Sequence, residues 1–207
     1  ILDPKPNEIV IDMCAAPGSK STHLAQLMEN EGTLILIEKN LNRIPALEVN
    51  LRRMGIINSI VFNMDAINLS NINVKGDKIL LDAPCTGEGL IRQDPSRKKS
   101  KRMKDIEKMS SIQKRLLTAG LEALNSGGML LYCTCSIAPE ENEIVVDKVL
   151  NKSNNYKIIE ISKNYGVKGL TNVFGVNLSE DLMFSQRLYP HLHDTIGFYF
   201  CLIKKED

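Results

Sequence analysis

The segment Ile9-Val-Ile-Asp-Met-Cys-Ala-Ala-Pro-Gly-Ser-Lys-Ser21 joins a β-branched apolar run to a stretch with helical periodicity. Residues 9–13 are typical of a buried strand, and residues 19–30 place leucines on one helical face. The small residues between them let a ligand approach the backbone, and the start of the helix offers free N–H groups to an anion. The segment therefore predicts the opening of a βαβ unit with a ligand-binding loop.

The alternation of short apolar runs and helical patterns continues along the chain. Further strands are predicted at Thr33–Ile37, Ser59–Phe62, Ile79–Leu81, Met129–Tyr132, Tyr156–Ile161 and Phe198–Ile203. Further helices are predicted at Leu41–Met54, Asp105–Leu124 and Pro139–Leu150. Strands separated by helices indicate an α/β fold, with a mostly parallel sheet and helices on both faces. Residues 162–196 lack a clear pattern and are expected to form a long functional loop.

Composition limits the class of protein. The 207 residues are expected to form one domain, 1–207, and the net charge of +1 gives no global sign of a nucleic-acid partner. Five cysteines, an odd number without a C-x-x-C pair, argue against a disulfide framework and a zinc site. We expect a reducing, cytoplasmic compartment, no membrane partner and a monomer. Because a motif follows so soon after Ile1, an N-terminal part of the full protein is expected to be missing.

Side chains that follow the second and third predicted strands suit an adenosine cofactor. The first loop matches neither G-x-G-x-x-G nor the P-loop pattern, which argues against a dinucleotide or a nucleoside triphosphate. Glu38 is placed to hold ribose hydroxyls, and Asp65 is placed near an adenine edge. A loop followed by these acids suits S-adenosylmethionine. The alternative is that both residues are ordinary loop acids.

Two cysteines follow two further predicted strands. Cys85 lies in Asp82-Ala-Pro-Cys-Thr-Gly-Glu-Gly89, and Cys135 lies in Tyr132-Cys-Thr-Cys-Ser136. Ligands bind beyond the carboxyl ends of parallel strands, so both thiols are expected to face one cleft. One thiol can attack a substrate while the other helps the product to leave. The alternative for either cysteine is an inert, small apolar side chain.

On these residues the chain resembles the Sun/Fmu family of RNA cytosine-5 methyltransferases, and within it the archaeal tRNA-modifying branch. The matching segments are Asp12–Ser21, Glu38–Arg43, Asp65-Ala66, Asp82–Gly89, Tyr132–Ser136, Pro139–Glu143 and Arg187–Phe200. The joint occurrence of Asp-Ala-Pro-Cys-Thr-Gly and Thr-Cys-Ser makes the resemblance specific. Departures are Glu38 where many members have Asp, Ser19 where Gly is frequent, Cys133 where Ser is frequent, and Thr195-Ile-Gly-Phe-Tyr-Phe200 where many members have Asp-Gly-Phe-Phe.

The resemblance implies a Rossmann-like sheet of seven strands and S-adenosylmethionine as cofactor. It implies that Cys135 attacks carbon 6 of cytosine and that Cys85 assists product release. Lys20 is implied to face the target nucleotide, and Asp82 to contact the flipped cytosine or the cofactor side. The implied cofactor-binding residues are Cys14, Ala15, Ala16, Pro17, Gly18, Ser19, Lys20, Glu38, Arg43, Asp65 and Asp82. The implied partner is RNA, with tRNA expected.

A basic segment follows the Cys85 loop directly. Its candidate RNA-binding residues are Arg92, Arg97, Lys98, Lys99, Lys101 and Arg102. Because the segment borders the expected cleft, phosphate contact is favoured over a solvated loop. His191 and His193 form an H-x-H pair, but the sequence offers no third ligand nearby, so no metal is expected.

Three alternatives to a tRNA methyltransferase remain at this stage. The first is an rRNA cytosine-5 methyltransferase. The second is a DNA cytosine-5 methyltransferase with Cys85 as its nucleophile, against which the Thr134-Cys-Ser136 motif argues. The third is a non-catalytic RNA-binding relative, against which the presence of both cysteines and the first loop argues.

Overall fold

The computed structural model describes residues 1–97 and 102–207. These residues form two compact units. The first unit consists of Ile1–Asp82, Ala119–Leu131 and Lys205–Asp207, and the second of Ala83–Thr118 and Tyr132–Lys204. Among the described residues, no helix is long and apolar enough to cross a membrane.

The first unit contains the βαβ pattern that opens the chain. Its strands are β1 (Ile9–Asp12), β2 (Thr33–Glu38), β3 (Ser59–Asn63) and β4 (Gly76–Asp82), and its helices are α1 (Ser19–Leu27) and α2 (Ile44–Arg53). The strand order is β3-β2-β1-β4, and each neighbouring pair is parallel. The middle strands β1 and β2 are almost wholly buried, as expected for a parallel sheet covered on both faces.

Helix α3 (Met103–Glu122) and strand β5 (Leu124–Thr134) follow in the chain, and each has residues in both units. The strand begins five residues earlier than the predicted Met129, and the helix ends at Glu122, before the predicted Leu124. The backbone N–H of Gly76 donates to the carbonyl of Ala123 at 2.9 Å, and the Asn125 amide donates to Asp77 Oδ1 at 2.7 Å. These bonds hold the start of β5 beside β4.

The second unit contains most of the remaining elements. They are α4 (Glu143–Leu150), β6 (Tyr156–Ile159), β7 (Val167–Lys168), β8 (Asn172–Val173), β9 (Val176–Asn177), β10 (Gln186–Leu188), α5 (Pro190–His193) and β11 (Phe198–Lys205). Strand β10 pairs antiparallel with β7 and β11, β6 also pairs with β11, and β8 and β9 form a separate hairpin.

The fold class predicted from the alternation of elements is confirmed, because the described strands include a parallel core flanked by helices. Their number differs from the expectation. Within the described residues the larger sheet has nine strands rather than seven, and β8 and β9 form a second, two-stranded sheet. The difference lies in β7 and β10, which belong to the segment 162–196 that the sequence pattern assigned to a loop.

Candidate functional site

In the first unit, acidic side chains lie at the carboxyl ends of neighbouring parallel strands. Asp12 is the last residue of β1, Glu38 the last of β2 and Asp82 the last of β4, while Asp65 follows β3. Parallel neighbours end at the same edge of a sheet, which is where ligands bind in such folds. The positions predicted for Glu38, Asp65 and Asp82 therefore fall along one edge, and Asp12 adds an acid to which the sequence pattern assigned no role.

Asp12 holds the first loop in place through two hydrogen bonds. Its carboxylate is 1% exposed and accepts hydrogen bonds from the Ser21 hydroxyl at 2.7 Å and the Cys14 N–H at 3.2 Å. Burial raises the pKa of Asp12 to about 6; the two hydrogen bonds lower it, and the nearby Asp82 charge raises it. Burial, with the Asp12 and Asp82 charges, also raises the pKa of Cys14, so this thiol stays neutral.

The loop from Ala15 to Gly18 is held tightly against β2 and α2. The N–H of Ala15 donates to the Ile37 carbonyl at 2.9 Å, and the Asn50 amide donates to the Pro17 carbonyl at 2.9 Å. Gly18 has φ +107°, and a Cβ there would lie 2.9 Å from a Leu47 methyl group. Only glycine combines this conformation with this close approach. Ser19, the departure beside it, is the first residue of α1 and adopts a helical backbone.

Glu38 has little exposure, about 5%, and several donors. Its Oε1 accepts from the Asn40 N–H at 2.7 Å, and its Oε2 accepts from the Ala16 N–H at 3.3 Å and lies 3.4 Å from Arg43 Nη1. Arg43 also donates to the Ala16 carbonyl. An ionised carboxylate has about four acceptor sites, so Glu38 retains capacity for a further donor such as a ribose hydroxyl.

Asp65 and Lys20 complete this edge. Asp65 Oδ1 accepts from the Ile67 N–H at 3.1 Å, and Oδ2 lies 2.6 Å from Lys39 Nζ. Lys20 Nζ lies 2.7 Å from Asp82 Oδ2, and their side chains are 42% and 31% exposed. The structure thus pairs Lys20 with Asp82, two residues that the sequence pattern proposed separately, on the accessible part of the edge.

The second unit brings together the two predicted thiols. Cys85 Sγ and Cys135 Sγ lie 3.2 Å apart, and both residues are partly exposed. Hydrogen bonding to Cys135 raises the pKa of Cys85, and burial raises it further. With its pKa raised, Cys85 keeps its proton at neutral pH and can donate it in a hydrogen bond to the Cys135 sulfur. Cys85 and Cys135 are hereafter called the thiol pair.

Backbone hydrogen bonds fix the loops that carry the thiol pair. The N–H of Ala83 donates to the Cys133 carbonyl at 2.8 Å, and the N–H of Gly89 donates to the Cys135 carbonyl at 3.0 Å. A Cβ on Gly89 would lie 2.5 Å from the carbonyl oxygens of Cys135 and Gly197. Glycine at this position is required because any side chain would push the two loops apart.

Buried polar residues that the sequence pattern missed surround the thiol pair. The Glu141 carboxyl, which is wholly buried, accepts from the Thr86 N–H at 3.1 Å and from the Gln113 amide at 2.7 Å. The Ser136 hydroxyl donates to Glu88 at 2.8 Å and lies 3.3 Å from Glu141. Burial raises the pKa of Glu141, which its hydrogen bonds to Thr86 and Gln113 oppose.

One sequence signal could have identified Gln113. It stands four residues before Leu117 on α3, and both side chains are fully buried. A polar residue on the apolar face of a helix indicates a buried side chain that must find hydrogen-bond partners inside the protein. Here its amide also donates to the Pro84 carbonyl at 2.8 Å, beside Cys85.

The predicted RNA-binding residues are only partly described. Lys98, Lys99 and Lys101 lie outside the described residues. Arg92 Nη1 lies 2.5 Å from Asp194 Oδ1, and Arg97 donates to the Gly87 carbonyl at 3.3 Å, in the Cys85 loop. Arg102 is exposed at the start of α3. The described arginines thus extend from the thiol loop across the surface of the second unit.

The histidine pair has an ordinary structural role. The Tyr189 N–H donates to His193 Nδ1 at 2.9 Å within the short helix α5. Within residues 1–97 and 102–207, no group of three or more histidine, cysteine, aspartate or glutamate side chains is arranged to hold a metal ion.

Comparison with known proteins gives consistent matches over nearly the whole chain. A family model described as 16S rRNA methyltransferase RsmB/F matches residues 1–204. The mouse 28S rRNA (cytosine-C(5))-methyltransferase is 38% identical over an alignment of 208 positions, which covers 99% of this chain and 26% of the mouse protein. The tRNA (cytosine(72)-C(5))-methyltransferase of Pyrococcus horikoshii is 40% identical over 205 residues, which are 99% of this chain and 49% of that protein.

A solved structure gives the same result in three dimensions. The crystal structure of NSun6 from Pyrococcus horikoshii with SFG matches with a TM-score of 0.86 and 39% sequence identity, covering 100% of this chain and 50% of that one. The chain therefore spans between a quarter and a half of the length of these relatives.

Proposed function

This chain belongs to the RsmB/F family of 16S rRNA methyltransferases, and from that premise we propose that it is the catalytic part of an S-adenosylmethionine-dependent RNA cytosine-5 methyltransferase. The resemblance to the Sun/Fmu family predicted from the sequence is confirmed, and the Pyrococcus relative supports its archaeal tRNA-modifying branch. The observation that carries the proposed chemistry is the thiol pair, whose sulfur atoms lie 3.2 Å apart.

The thiol pair matches what methylation at carbon 5 requires. Carbon 5 of cytosine is a weak nucleophile until a thiolate adds to carbon 6, which makes the ring an enamine. Cys135 is assigned this attack because it is the cysteine of Thr134-Cys-Ser136, and the neighbouring Cys85 thiol, whose pKa is raised, can donate to its thiolate. After carbon 5 is methylated, its proton passes to a water molecule that the protonated Cys85 thiol orients, or to Cys85 itself once that thiol has lost its own proton to solvent. The electron pair of that C–H bond then expels the Cys135 thiolate and restores the aromatic ring.

The edge of the first unit suits S-adenosylmethionine. This cofactor, when bound, supplies an electrophilic methyl group on a sulfonium. Glu38 has acceptor capacity left for ribose hydroxyls, and Asp65 is placed for the adenine side. The loop Cys14–Lys20 and Arg43 form the remaining wall, and the buried acids favour a cationic ligand. The relative solved with SFG, an analogue of S-adenosylmethionine, supports this assignment.

The ion pair of Lys20 and Asp82 is assigned to the target base. A carboxylate accepts a hydrogen bond from the exocyclic amine of cytosine, and a lysine donates to ring or phosphate oxygens. Both side chains are accessible, so each can leave the ion pair and contact a ligand instead. We assign Asp82 the recognition of the flipped cytosine and Lys20 the neighbouring contact.

The substrate class is proposed to be tRNA, as for the 40%-identical Pyrococcus relative. An rRNA substrate is the second candidate, because the mouse relative is named for 28S rRNA and the family for 16S rRNA. A DNA methyltransferase would use Cys85 as nucleophile, against which the Thr134-Cys-Ser136 motif and the raised pKa of Cys85 argue. A non-catalytic RNA-binding protein has no need for two thiols in contact within a buried hydrogen-bond network, so the thiol pair argues against that alternative.

Methyl transfer to nucleic acids of different classes tests the proposed function. The complete protein is incubated with labelled S-adenosylmethionine and either tRNA, rRNA or DNA of matched cytosine content. We expect 5-methylcytosine in tRNA, at a rate about tenfold or more above the rRNA rate, and none in DNA. Methylated DNA would reject the RNA assignment, and faster transfer to rRNA would select the second candidate.

The basic segment makes a separate prediction about RNA affinity. We propose that Lys98, Lys99 and Lys101 contact phosphates, and we expect their joint replacement by alanine to reduce the salt slope of tRNA binding by about two to three. Binding measured by fluorescence anisotropy over a range of potassium chloride concentrations reads this slope. Lys204→Ala, far along the chain in β11, is the control. An unaltered slope in the triple variant would identify the segment as a solvated loop.

A further inference from the structure

Two carboxyl groups and two hydroxyl groups form a closed network next to the thiol pair. The Thr86 hydroxyl contacts Glu88 Oε2 at 2.5 Å and also contacts Glu141 Oε1. The Ser136 hydroxyl contacts Glu88 Oε1 at 2.8 Å and Glu141 Oε1 at 3.3 Å. Each hydroxyl therefore bridges the same two carboxyl groups, and Glu88 and Glu141 are hereafter called the carboxyl pair.

The number of protons in this network is insufficient if both carboxyl groups are ionised. A hydroxyl has one hydrogen, so Thr86 and Ser136 can each donate to only one carboxylate. Every further oxygen–oxygen contact then joins two acceptors, which is repulsive. The Ser136 oxygen already accepts from the Ala138 N–H at 3.0 Å, so its hydrogen points towards the carboxyl pair. One additional proton on a carboxyl group turns a repulsive contact into a hydrogen bond.

Electrostatics favours the same state. Glu141 is fully buried, and the Glu88 carboxylate is bridged to it through single atoms. Two carboxylates that share one site do not readily ionise together, because the second charge must form beside the first in a medium of low dielectric constant. Burial and the Glu88 charge both raise the pKa of Glu141.

The network joins the two thiol loops at equivalent points. Thr86 is the residue after Cys85, and Ser136 is the residue after Cys135. The Thr86 N–H also donates to Glu141 at 3.1 Å, and the Tyr132 hydroxyl donates to the Glu141 carbonyl at 2.6 Å. The hydroxyl bridges therefore add to the backbone hydrogen bonds of Ala83 and Gly89 in holding the two sulfur atoms close.

We propose that Glu88 and Glu141 share one proton at neutral pH and act, through Thr86 and Ser136, as positioning residues that hold Cys85 and Cys135 together. The role of this device in methyl transfer rests on the proposed function, whereas the shared proton does not. When the proton leaves, the carboxyl groups repel and each hydroxyl donates to only one of them. The backbone hydrogen bonds of Ala83 and Gly89 then hold the two loops alone, and the sulfur atoms are positioned less firmly.

The other ionisable groups near the carboxyl pair use their hydrogen-bond donors elsewhere and do not supply the additional proton. Cys85 and Cys135 hydrogen-bond to each other, and the Tyr132 hydroxyl donates to a backbone carbonyl. Glu140 is adjacent in the chain, and the Arg97 guanidinium donates to the Gly87 carbonyl. From α3, the neutral Gln113 amide donates to Glu141 Oε2.

Carbon-13 NMR of glutamate side chains tests the shared proton without RNA or cofactor. The complete protein, labelled at the glutamate carboxyl carbon, is titrated from about pH 4 to about pH 9. We expect one carboxyl resonance to titrate well above the ordinary glutamate range and to disappear in Glu141→Gln. In Glu88→Gln its midpoint should fall by about one pH unit or more, because the neighbouring charge is gone. Glu140→Gln, which removes an adjacent acid, should leave it unchanged.

Methyl-transfer rates test the positioning role. Wild-type protein should lose activity as pH rises through that midpoint, whereas Glu88→Gln, whose amide always carries a donor, should lack this alkaline loss. Glu88→Ala, which removes the bridge, should be about tenfold slower at neutral pH. Two carboxyl groups that titrate at ordinary values, or a midpoint unmoved by Glu88→Gln, would overturn the shared proton. An identical pH profile in wild type and Glu88→Gln would overturn the positioning role.

The two arms separate this inference from the proposed function. Lack of methyl transfer by the wild type on every nucleic acid would reject the proposed function alone. A shared proton seen by NMR would still stand, because that measurement needs neither substrate nor cofactor.

Discussion

Alanine at Cys135 is expected to abolish both methyl transfer and the covalent protein–RNA adduct. Cys135 is the proposed nucleophile, and the pKa of its neighbour Cys85 is raised by their hydrogen bond and by burial, so Cys85 can donate to the Cys135 thiolate. Without a thiolate at carbon 6, carbon 5 does not become nucleophilic, so the rate should fall by about a thousandfold or more. RNA containing 5-fluorocytosine, which traps the adduct, followed by a denaturing gel gives the measurement.

Alanine at Cys85 is expected to produce the opposite result in the same gel. Cys135 can still attack, and methyl transfer can still follow, but removal of the proton from carbon 5 is slow without Cys85. A stable adduct should therefore accumulate even on unmodified RNA. The two sulfur atoms are only 3.2 Å apart, so the contrast reports chemical role rather than location.

A matched control separates these effects from the loss of any thiol. Cys201 is fully buried in β11, and burial raises its pKa, so Cys201→Ala should methylate RNA without accumulating adduct. If the adduct instead persists in Cys135→Ala and disappears in Cys85→Ala, Cys85 is the nucleophile and the mechanism is of the DNA type. Equal behaviour of both variants would contradict the division of roles proposed for the thiol pair.

The proximity of Cys85 and Cys135 was predictable because each follows an apolar run that the sequence identifies as a strand. Each cysteine follows a short apolar run, and parallel strands place the residues after them at one edge. The carboxyl pair was not predictable in this way. Glu88 and Glu141 lie in 3₁₀ turns several residues beyond the strand ends, where neither the strand period nor the helix period gives the direction of a side chain. The sequence pattern interpreted the acids after Pro139 as the start of a helix, whereas Glu141 ends a 3₁₀ turn and points inward.

Element boundaries failed where local conformation overrode periodicity. The pattern extended α1 to Asn30, but the helix ends at Leu27 because Glu29 and Asn30 adopt left-handed backbone conformations. The helix predicted from Pro139 is divided, since Asn142 departs from helical angles before α4 begins. In residues 162–196 the strands are two or three residues long, which is too short for a period-two pattern to be recognised.

Arg187 explains why that irregular segment is nevertheless ordered. It lies in β10, is 1% exposed, and donates to Glu143 at 2.5 Å and to the Ile137 carbonyl at 3.0 Å. A buried pair of this kind is stable only when its remaining donors are also satisfied, and the Tyr189 oxygen accepts another bond at 2.9 Å. The segment is therefore fixed to the backbone that follows Cys135, which no periodicity in the sequence reveals.

Cofactor affinity should depend more strongly on Glu38 than on Asp65. Glu38 is almost buried, and its oxygens also organise Ala16 and Arg43. Its replacement by alanine removes the acceptor for the ribose and loosens the loop that forms the opposite wall. Loss of a buried charge-assisted hydrogen bond costs about 1.5–3 kcal/mol, so Glu38→Ala should weaken S-adenosylmethionine binding by about 10- to 100-fold.

Asp65→Ala should weaken binding by only about tenfold, because this carboxylate is 26% exposed and water can replace part of its role. Titration calorimetry with S-adenosylmethionine measures both variants, and circular dichroism confirms that each is folded. Glu48→Ala is the control: it removes an exposed acid that pairs with Arg52 on α2, and should leave affinity unchanged. If Glu38→Ala and Asp65→Ala both bind as the wild type does, the acids at this edge are structural, and the cofactor assignment fails. If Asp65→Ala has the larger effect, the adenine side rather than the ribose carries the affinity, because the hydrogen bonds of Glu38 would then serve only the loop.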